Sequence, residues 1–464
     1  MVVQAPSARV RADVAHLARR AGFGLHADDL DVLAADGYEA AVERVVRGLS
    51  SPDPAAGDVA PPTFDTARLL AARDSTDEAA RRAAQTALRE QQRLLVRWWL
   101  TRMVVAAEPW HEKLTFLWHD HFATSLTKVR YPELLWRQHS LFYGLGRGRF
   151  DDLVHAVSRD GAMLLWLDGH DSRSGAPNEN YARELLELFT LGHAPPAADG
   201  DHGGHASSGP PYTEADVVAA ARALTGWRVD PATGDGVFRP GRHDPGTKTL
   251  LGTTGRLGLD EVVALTTGHP ACAPHVVARL WSRLGRPATA SDPVVADLAA
   301  PFAEDLDIAA LLRRLFLHPA FRDAATRTAL VKTPVEWMVG SLRALRHDLP
   351  ERGERVLVSL GQVPFAPPDV AGWPANRAWL STAAARSRPS RTEPWLTSST
   401  PPSRRCRPTG GPSIPPATTW PTSARKATAA SASTSRRCCR SSTATASSAA
   451  AWASTASRAA TTSS

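Results

Sequence analysis

The chain has 464 residues, of which 43% are hydrophobic, enough for a substantial core in one large helical domain or several smaller ones. Its net charge of +7 arises at one end, since residues 387–464 hold eleven Lys/Arg and one Asp/Glu. Residues 1–386 therefore hold 43 Lys/Arg against 46 Asp/Glu, a net charge of −3, with no Lys/Arg cluster. This charge distribution excludes nucleic acid as the expected partner of the body.

The number of cysteines and the N-terminal segment indicate in which cellular compartment the protein is expected. Only Cys272 lies in the body, so no internal disulfide framework is expected there. Residues 1–20 lack the apolar core of a signal peptide, and the chain has no run of about 18 apolar residues. We therefore expect a cytoplasmic protein without a transmembrane segment.

Apolar residues at three- and four-residue spacing predict a succession of helices. The first two cover 14–23 and 28–46, and a linker rich in Pro, Ala and Asp follows at 51–65. A long helix is predicted over 77–107. The further predicted helices lie near 110–124, 131–145, 178–191, 213–226, 257–267, 272–284, 306–316 and 333–346.

Loops and strands take up little of the body. Thr213 and Asp216 have the spacing of a helix N-cap and an acidic residue at the third helical position. Strand-like alternation is scarce, and only 236–251 suggests a short hairpin. The sequence predicts a mainly α fold, with one large multi-helix domain over 12–386, long loops and at most a short hairpin. A Gly/Pro-rich loop insertion at 193–211 holds three histidines that we attribute to flexible sequence rather than to a metal site: His193, His202 and His205.

Residues 387–464 differ in kind from the body. Of these 78 residues, 74 are Ser, Pro, Thr, Ala, Cys, Trp, Arg or Gly, whose codons can carry C or G at the second base. In a GC-rich gene, a one-nucleotide frameshift moves the third codon base, nearly always G or C, into that position. The alternative is a native disordered, basic, low-complexity tail. Either origin predicts an unstructured segment, and a frameshift also predicts that the body lacks its last helices.

The first cluster of candidate functional side chains lies in EKLTFLWHDHFATS, residues 112–125. At about 100° per residue, His121 falls on an apolar stripe of the predicted helix and His119 on another face. The two imidazoles therefore cannot share a metal while the segment is helical. We assign His121 as a candidate catalytic group and His119 as a candidate binding group. The alternative for His121 is a core histidine with a satisfied hydrogen bond.

The second cluster lies in NENYARELLELFTLG, residues 178–192, where polar residues form one arc of a predicted helix. The arc has no Lys and combines one Arg with three carboxylates, so we expect it to face inward. Arg183, with five fixed donors, is assigned as organiser and Glu184 as the acid–base or ligand group. The alternative is a solvated face with ion pairs four residues apart. The remaining candidate binding residues are Asn178, Glu179, Asn180 and Glu187.

The third cluster is RHDPGTKTLLG, residues 242–252, in which His243, Asp244 and Lys248 lie in a Pro/Gly turn. A His–Asp pair can supply a base and its orienting group. We assign all three as catalytic candidates and expect them, with His121, to reach the 178–187 helix directly or through one water. The alternative is that Asp-Pro-Gly only shapes the turn.

Two classes of function remain open. The chain has no P-loop, GxGxxG, HExxH or GxSxG motif. The first hypothesis is an enzyme that performs acid–base or metal-assisted hydrolysis with the three clusters, its metal, cofactor and substrate unspecified. The alternative is a non-catalytic binding or assembly protein in which the clusters form a buried polar network. An open pocket lined by these side chains would favour the enzyme. Side chains that are sealed from solvent and bonded to one another would favour the binding or assembly protein.

The ordered motifs resemble a bacterial family, the "domain of unknown function 1800" family. Besides the three clusters, they include HLARRAGFG at 16–24, YTEADVVAAARALTGW at 212–227 and FAPPDVAGWPANRAWLST at 365–382. The resemblance covers about 12–386 and implies a predominantly helical fold but no established activity. It also implies export for many relatives and a sulfatase-like partner protein encoded beside them.

Overall fold

A computed structural model describes residues 6–51, 53–66, 76–193, 211–231 and 233–380. The tail 387–464 and most of the 193–211 loop, including His202 and His205, lie outside the described residues.

The described residues are mainly α-helical, which confirms the predicted fold class. The helices before the 194–210 gap are α1 (Ala8–Ala21), α2 (Ala27–Ala34), α3 (Tyr38–Gly48), α4 (Pro54–Gly57), α5 (Glu78–Val105), α6 (Trp110–His121), α7 (Leu126–Val129), α8 (Pro132–Leu145), α9 (Phe150–Arg159), α10 (Gly161–Trp166) and α11 (Glu179–Glu184). The later helices are α12 (Glu214–Ala223), α13 (Leu259–Thr267), α14 (Cys272–Leu284), α15 (Pro293–Asp305), α16 (Ile308–Leu317), α17 (Ala324–Arg327), α18 (Pro334–Ala344) and α19 (Glu354–Leu360).

Two small antiparallel hairpins occupy the region where one was predicted. β1 (Trp227–Val229) pairs with β2 (Gly236–Phe238), and β3 (Lys248–Leu250) pairs with β4 (Thr253–Gly255). The two halves of 236–251 thus pair with separate neighbours rather than with each other. The first hairpin lies against the start of α10, where a Cβ on Gly161 would be 1.9 Å from the carbonyl oxygen of Gly234.

Local chemistry explains several helix starts. Thr213 and Asp216 form the predicted capping box of α12, and Thr333 and Glu336 form another at α18. Helix α15 was not predicted, and Pro301 lies inside it, so a propensity argument disfavours it. Its burial of Val295, Leu298 and Phe302 compensates. The other helices not predicted are short or lack strong cap signals: α4, α7, α9, α10, α17 and α19.

Helix α6 runs between two apolar core clusters and is buried along its whole length. Leu114 and Trp118 belong to one cluster, and Phe116 belongs to the other, together with Trp99 and Phe365. The helix that carries the two predicted histidines therefore has no solvent-facing side.

Long-range polar contacts attach the N-terminal helices to the last third of the described chain. The Tyr38 hydroxyl donates to the Phe316 carbonyl at 2.7 Å. Arg343 donates to the Gly24 carbonyl at 3.0 Å and, through Nη1, to the Ala106 carbonyl at 2.6 Å. Arg343 thereby caps the C-terminal end of α5, whose last carbonyls lack helical partners. Within the described ranges, no helix combines the length and apolar character that a membrane span requires.

Candidate functional site

The two histidines of α6 lie in separate, sealed surroundings. His119 Nε2 accepts a hydrogen bond from the Phe365 backbone N–H at 2.9 Å, and burial lowers the pKa of His119 to about 3. His121 Nε2 donates to the Phe189 carbonyl at 3.0 Å, and burial holds its pKa well below 6.5. Their exposed fractions are 1% and 4%. Both imidazoles are therefore neutral, and the core-histidine alternative describes His121.

The polar arc of α11 faces outward. Glu179 and Asn180 are exposed, and the Arg183 side chain is 37% exposed. Arg183 makes a two-point ion pair with Glu214 in the first turn of α12, at 2.6 and 3.0 Å, and lies 3.5 Å from Glu179. The expectation of an inward-facing arc is wrong, because the opposite side of the helix supplies the core contacts. The buried residues of that side are Tyr181, Ala182, Leu185, Leu186 and Phe189.

Asn178 has a positioning role at the start of α11. Its side-chain oxygen accepts from the Asn180 backbone N–H at 2.9 Å, as an N-cap does. Its amide nitrogen donates to the carbonyls of Leu167 and Asp168 at 3.2 and 2.9 Å. One side chain thus caps the helix and joins it to the segment after α10.

Glu184 and Glu187 form the half-buried part of the arc. Burial raises the pKa of Glu184, and the neighbouring Glu187 and Asp369 carboxylates raise it further. Glu187 pairs with His193 and accepts from the Tyr212 hydroxyl at 3.3 Å. His193, attributed to a flexible insertion, thus has a specific carboxylate partner.

The end of α11 continues as a π-helical turn, Leu185–Thr190, of the kind often found at functional sites. Its Leu188 and Phe189 carbonyls accept hydrogen bonds from His275 at 2.9 Å and His121 at 3.0 Å. Sequence reasoning missed His275, because its partner lies 87 residues away and nothing local marks the contact.

The candidate side chains of the 242–252 turn bond to groups within the turn and to the end of α12. Lys248 is 2% exposed, and its ammonium donates to the carbonyls of Asp244 and Gly246 at 2.6 and 2.9 Å. The Arg222 guanidinium donates to the Asp244 carboxylate at 2.7 Å and holds its pKa below the usual range. Burial lowers the pKa of Lys248. The carboxylate and the ammonium therefore both hold the turn in shape.

His243 completes the same turn. Its Nδ1 donates to the Thr225 carbonyl at 3.1 Å, at the end of α12. The turn touches the segment before α11 through the Ser174 N–H, which donates to the Arg242 carbonyl at 2.7 Å. Between described residues, no hydrogen bond or ion pair joins His243, Asp244 or Lys248 to the 178–187 arc, so the expected direct contact is absent.

A buried ion pair that sequence reasoning missed joins α5 to α6. Glu112 is 1% exposed and accepts from Arg102 at 2.7 and 2.9 Å and from the Trp99 indole at 2.9 Å. Burial alone would raise the pKa of Glu112, but His139 and Arg102 lower it on balance. No local signal identifies the pair, because Arg102 and Glu112 lie in different helices.

The described residues form clefts, but the candidate catalytic and binding side chains do not line them. Five clefts have volumes of about 450, 40, 590, 760 and 10 Å³. No candidate catalytic or binding residue from the sequence analysis lines any of these five. Within the described part of the chain, no group of three His, Cys, Asp or Glu residues is placed to hold a metal ion.

Comparison with known proteins gives one finding. A family model described as "Protein of unknown function (DUF1800)" matches residues 16–464, past residue 386 where the resemblance by motifs ended. No curated protein and no solved structure matches the chain. The chain therefore belongs to the DUF1800 family.

Proposed function

We propose that the protein is a non-catalytic binding or assembly protein and that the three motif clusters fix its helices relative to one another. One observation carries this proposal: His121 Nε2, the Asp244 carboxylate and the Lys248 ammonium make internal contacts, and no candidate catalytic or binding residue lines any of the five clefts. A catalytic group needs access to substrate, which the burial of His121 and Lys248 denies.

The hydrogen bonds of the clusters join segments that are far apart in the sequence, as a scaffold requires. His119 bonds to a residue 246 positions later, and His121 to one 68 positions later. Each bond contributes about 0.5–1.5 kcal/mol, and an unsatisfied buried partner costs about 1–3 kcal/mol. Loss of one contact would therefore loosen two elements at once.

A sulfatase-like protein is the partner to test first, and this choice rests on the family resemblance. Purified chain would be mixed with the sulfatase-like protein encoded nearest to it and run on an analytical sizing column. Co-elution at a defined ratio supports assembly with that partner, whereas separate elution at micromolar concentration rejects this partner.

The scaffold role is tested by Lys248→Met and His121→Phe. We expect a lower midpoint of thermal unfolding for each variant, because Lys248→Met leaves two part-buried carbonyls without their donor and His121→Phe leaves one buried carbonyl without its donor. An unchanged midpoint for both variants would contradict the proposal. Arg89→Gln, an exposed position on α5, serves as the matched control.

A second function, acid–base chemistry at Glu184, is favoured by a separate observation. Its carboxyl is half-buried beside two other carboxylates, and its raised pKa suits a proton donor. The wild type would be screened with ester and phosphodiester substrates beside Glu184→Gln. Activity that is lost in Glu184→Gln and retained in Glu214→Gln would establish this function over the first.

A further inference from the structure

The largest of the five clefts lies between the first turns of α5 and the segment 128–131, with a volume of about 760 Å³. It shares no residue with the three motif clusters. Basic side chains outnumber acidic ones in its lining, although residues 1–386 carry a net charge of −3. The charged side chains that line it are four basic and two acidic: Arg81, Arg82, Lys128, Arg130, Glu78 and Asp168.

Arg130 has a backbone conformation that residues with a side chain avoid. Its φ is 67° and its ψ is −42°. The Tyr131 N–H donates to the Val129 carbonyl at 2.8 Å, so Arg130 is the central residue of the rare γ-turn with positive φ. The Gln92 amide holds the Arg130 carbonyl at 2.9 Å. Such strain costs about 1–3 kcal/mol and is concentrated at active sites and ligand clamps.

The basic side chains Lys128 and Arg130 of the cleft differ in their contacts. The Lys128 ammonium is fixed, since it donates to the Trp166 carbonyl at 2.6 Å and to Asp168 at 2.7 Å. The Arg130 guanidinium is exposed and makes no hydrogen bond or ion pair with another described residue. Asp168, which orients the lysine, also has a positive φ of 57°. The cleft thus combines a preorganised ammonium with a guanidinium, on a strained turn, that bonds to no other described residue.

We propose that this cleft binds the phosphate monoester group of a small organic molecule. A phosphate monoester carries about −1.5 to −2 at neutral pH, which suits a cleft lined by more basic than acidic side chains. A guanidinium can hold two phosphate oxygens at once, and the nearby ammonium adds a point charge. The volume lies in the range of about 300–1,000 Å³ typical of small-molecule sites. Leu88, Val129 and Leu165 supply an apolar wall for the organic part.

Calorimetric titration of the full chain with phenyl phosphate tests the proposal, with inorganic phosphate and phenol as separate probes. We expect saturable binding of phenyl phosphate, weaker binding of inorganic phosphate and no binding of phenol. Arg130→Gln should weaken phenyl phosphate binding at least about tenfold, because a charge-assisted two-point contact is lost. Arg89→Gln removes an exposed charge from α5 outside the cleft and should leave the Kd unchanged.

Arg130→Gly separates ligand binding from a structural role. Glycine adopts positive φ without penalty, so this variant should keep or raise the unfolding midpoint while it loses binding. A lower midpoint would assign Arg130 to the fold instead. The site would be overturned if phenyl phosphate binding did not saturate. It would also be overturned if Arg89→Gln weakened phenyl phosphate binding as much as Arg130→Gln does. Inorganic phosphate binding as tightly as phenyl phosphate would overturn the monoester assignment, and phenol binding as tightly would overturn the anion assignment.

Discussion

Replacing Arg102 by Met removes the cation from a carboxylate that has almost no access to water. Arg102 donates to Glu112 at 2.7 and 2.9 Å and to the Ala56 carbonyl at 2.7 Å. In the variant, the Glu112 carboxylate keeps the Trp99 indole as donor and the more distant His139 at 3.9 Å. Breaking a buried ion pair from one side costs about 3–5 kcal/mol. Since domains are stable by about 5–15 kcal/mol, the loss is a large part of the total.

Urea unfolding followed by circular dichroism at pH 7 measures this loss. The matched control is Arg82→Met, because Arg82 pairs with Glu78 at 3.2 Å at a site where both side chains are about 70% exposed. The control should lose less than about 1 kcal/mol. The double variant Arg102→Met with Glu112→Gln should recover part of the loss, since no charge stays buried.

The pH dependence gives a second check on the same pair. In the wild type, the lowered pKa of Glu112 contributes stability that is lost as the pH falls. Without Arg102, less opposes the effect of burial, which raises the pKa of Glu112. Protonation of Glu112 at low pH then removes the unpaired buried charge and stabilises the variant. The difference between the two proteins should therefore shrink as the pH decreases. A loss at pH 7 no larger than that of Arg82→Met, and independent of pH, would refute the reasoning.

Three further predictions concern single positions. Burial raises the pKa of Asp160 from 3.8 to about 6. Its contribution to stability is therefore full below pH 4 and is lost, by up to about 3 kcal/mol, as the pH rises through 6. Asp160→Asn should flatten this part of the curve of unfolding free energy against pH, and an unchanged curve would contradict the prediction. Gly161→Ala should destabilise by more than about 2 kcal/mol in urea unfolding, because its Cβ would lie 1.9 Å from the Gly234 carbonyl oxygen; wild-type stability would contradict the close packing. Asn178→Ala should lose about 1–2 kcal/mol, since the cap and two amide bonds disappear, whereas Asn180→Ala, at an exposed position, should change little by the same measurement.

Sequence reasoning worked where the cause was local. The capping box at Thr213 and Asp216 depends on residues three apart, and the long α5 follows from its own periodicity. The orientation of the α11 arc was mispredicted because the prediction relied on the absence of Lys from the arc. The amphipathic pattern of the same helix already placed its apolar side inward. The partner of Arg183 is Glu214, 31 residues later, and no property of either segment alone specifies that pairing.

The contacts between the first and last helices have a consequence for synthesis on the ribosome. Tyr38 finds its acceptor 278 residues later, and Arg343 reaches back 319 residues to Gly24. During translation the N-terminal helices emerge long before these partners exist, and their apolar faces stay uncovered through that interval. Nascent chains in this state are prone to aggregation, and closing such distant contacts is slow. The yield of native protein should therefore depend on chaperones that hold the emerging N-terminal helices until residue 343 has been made.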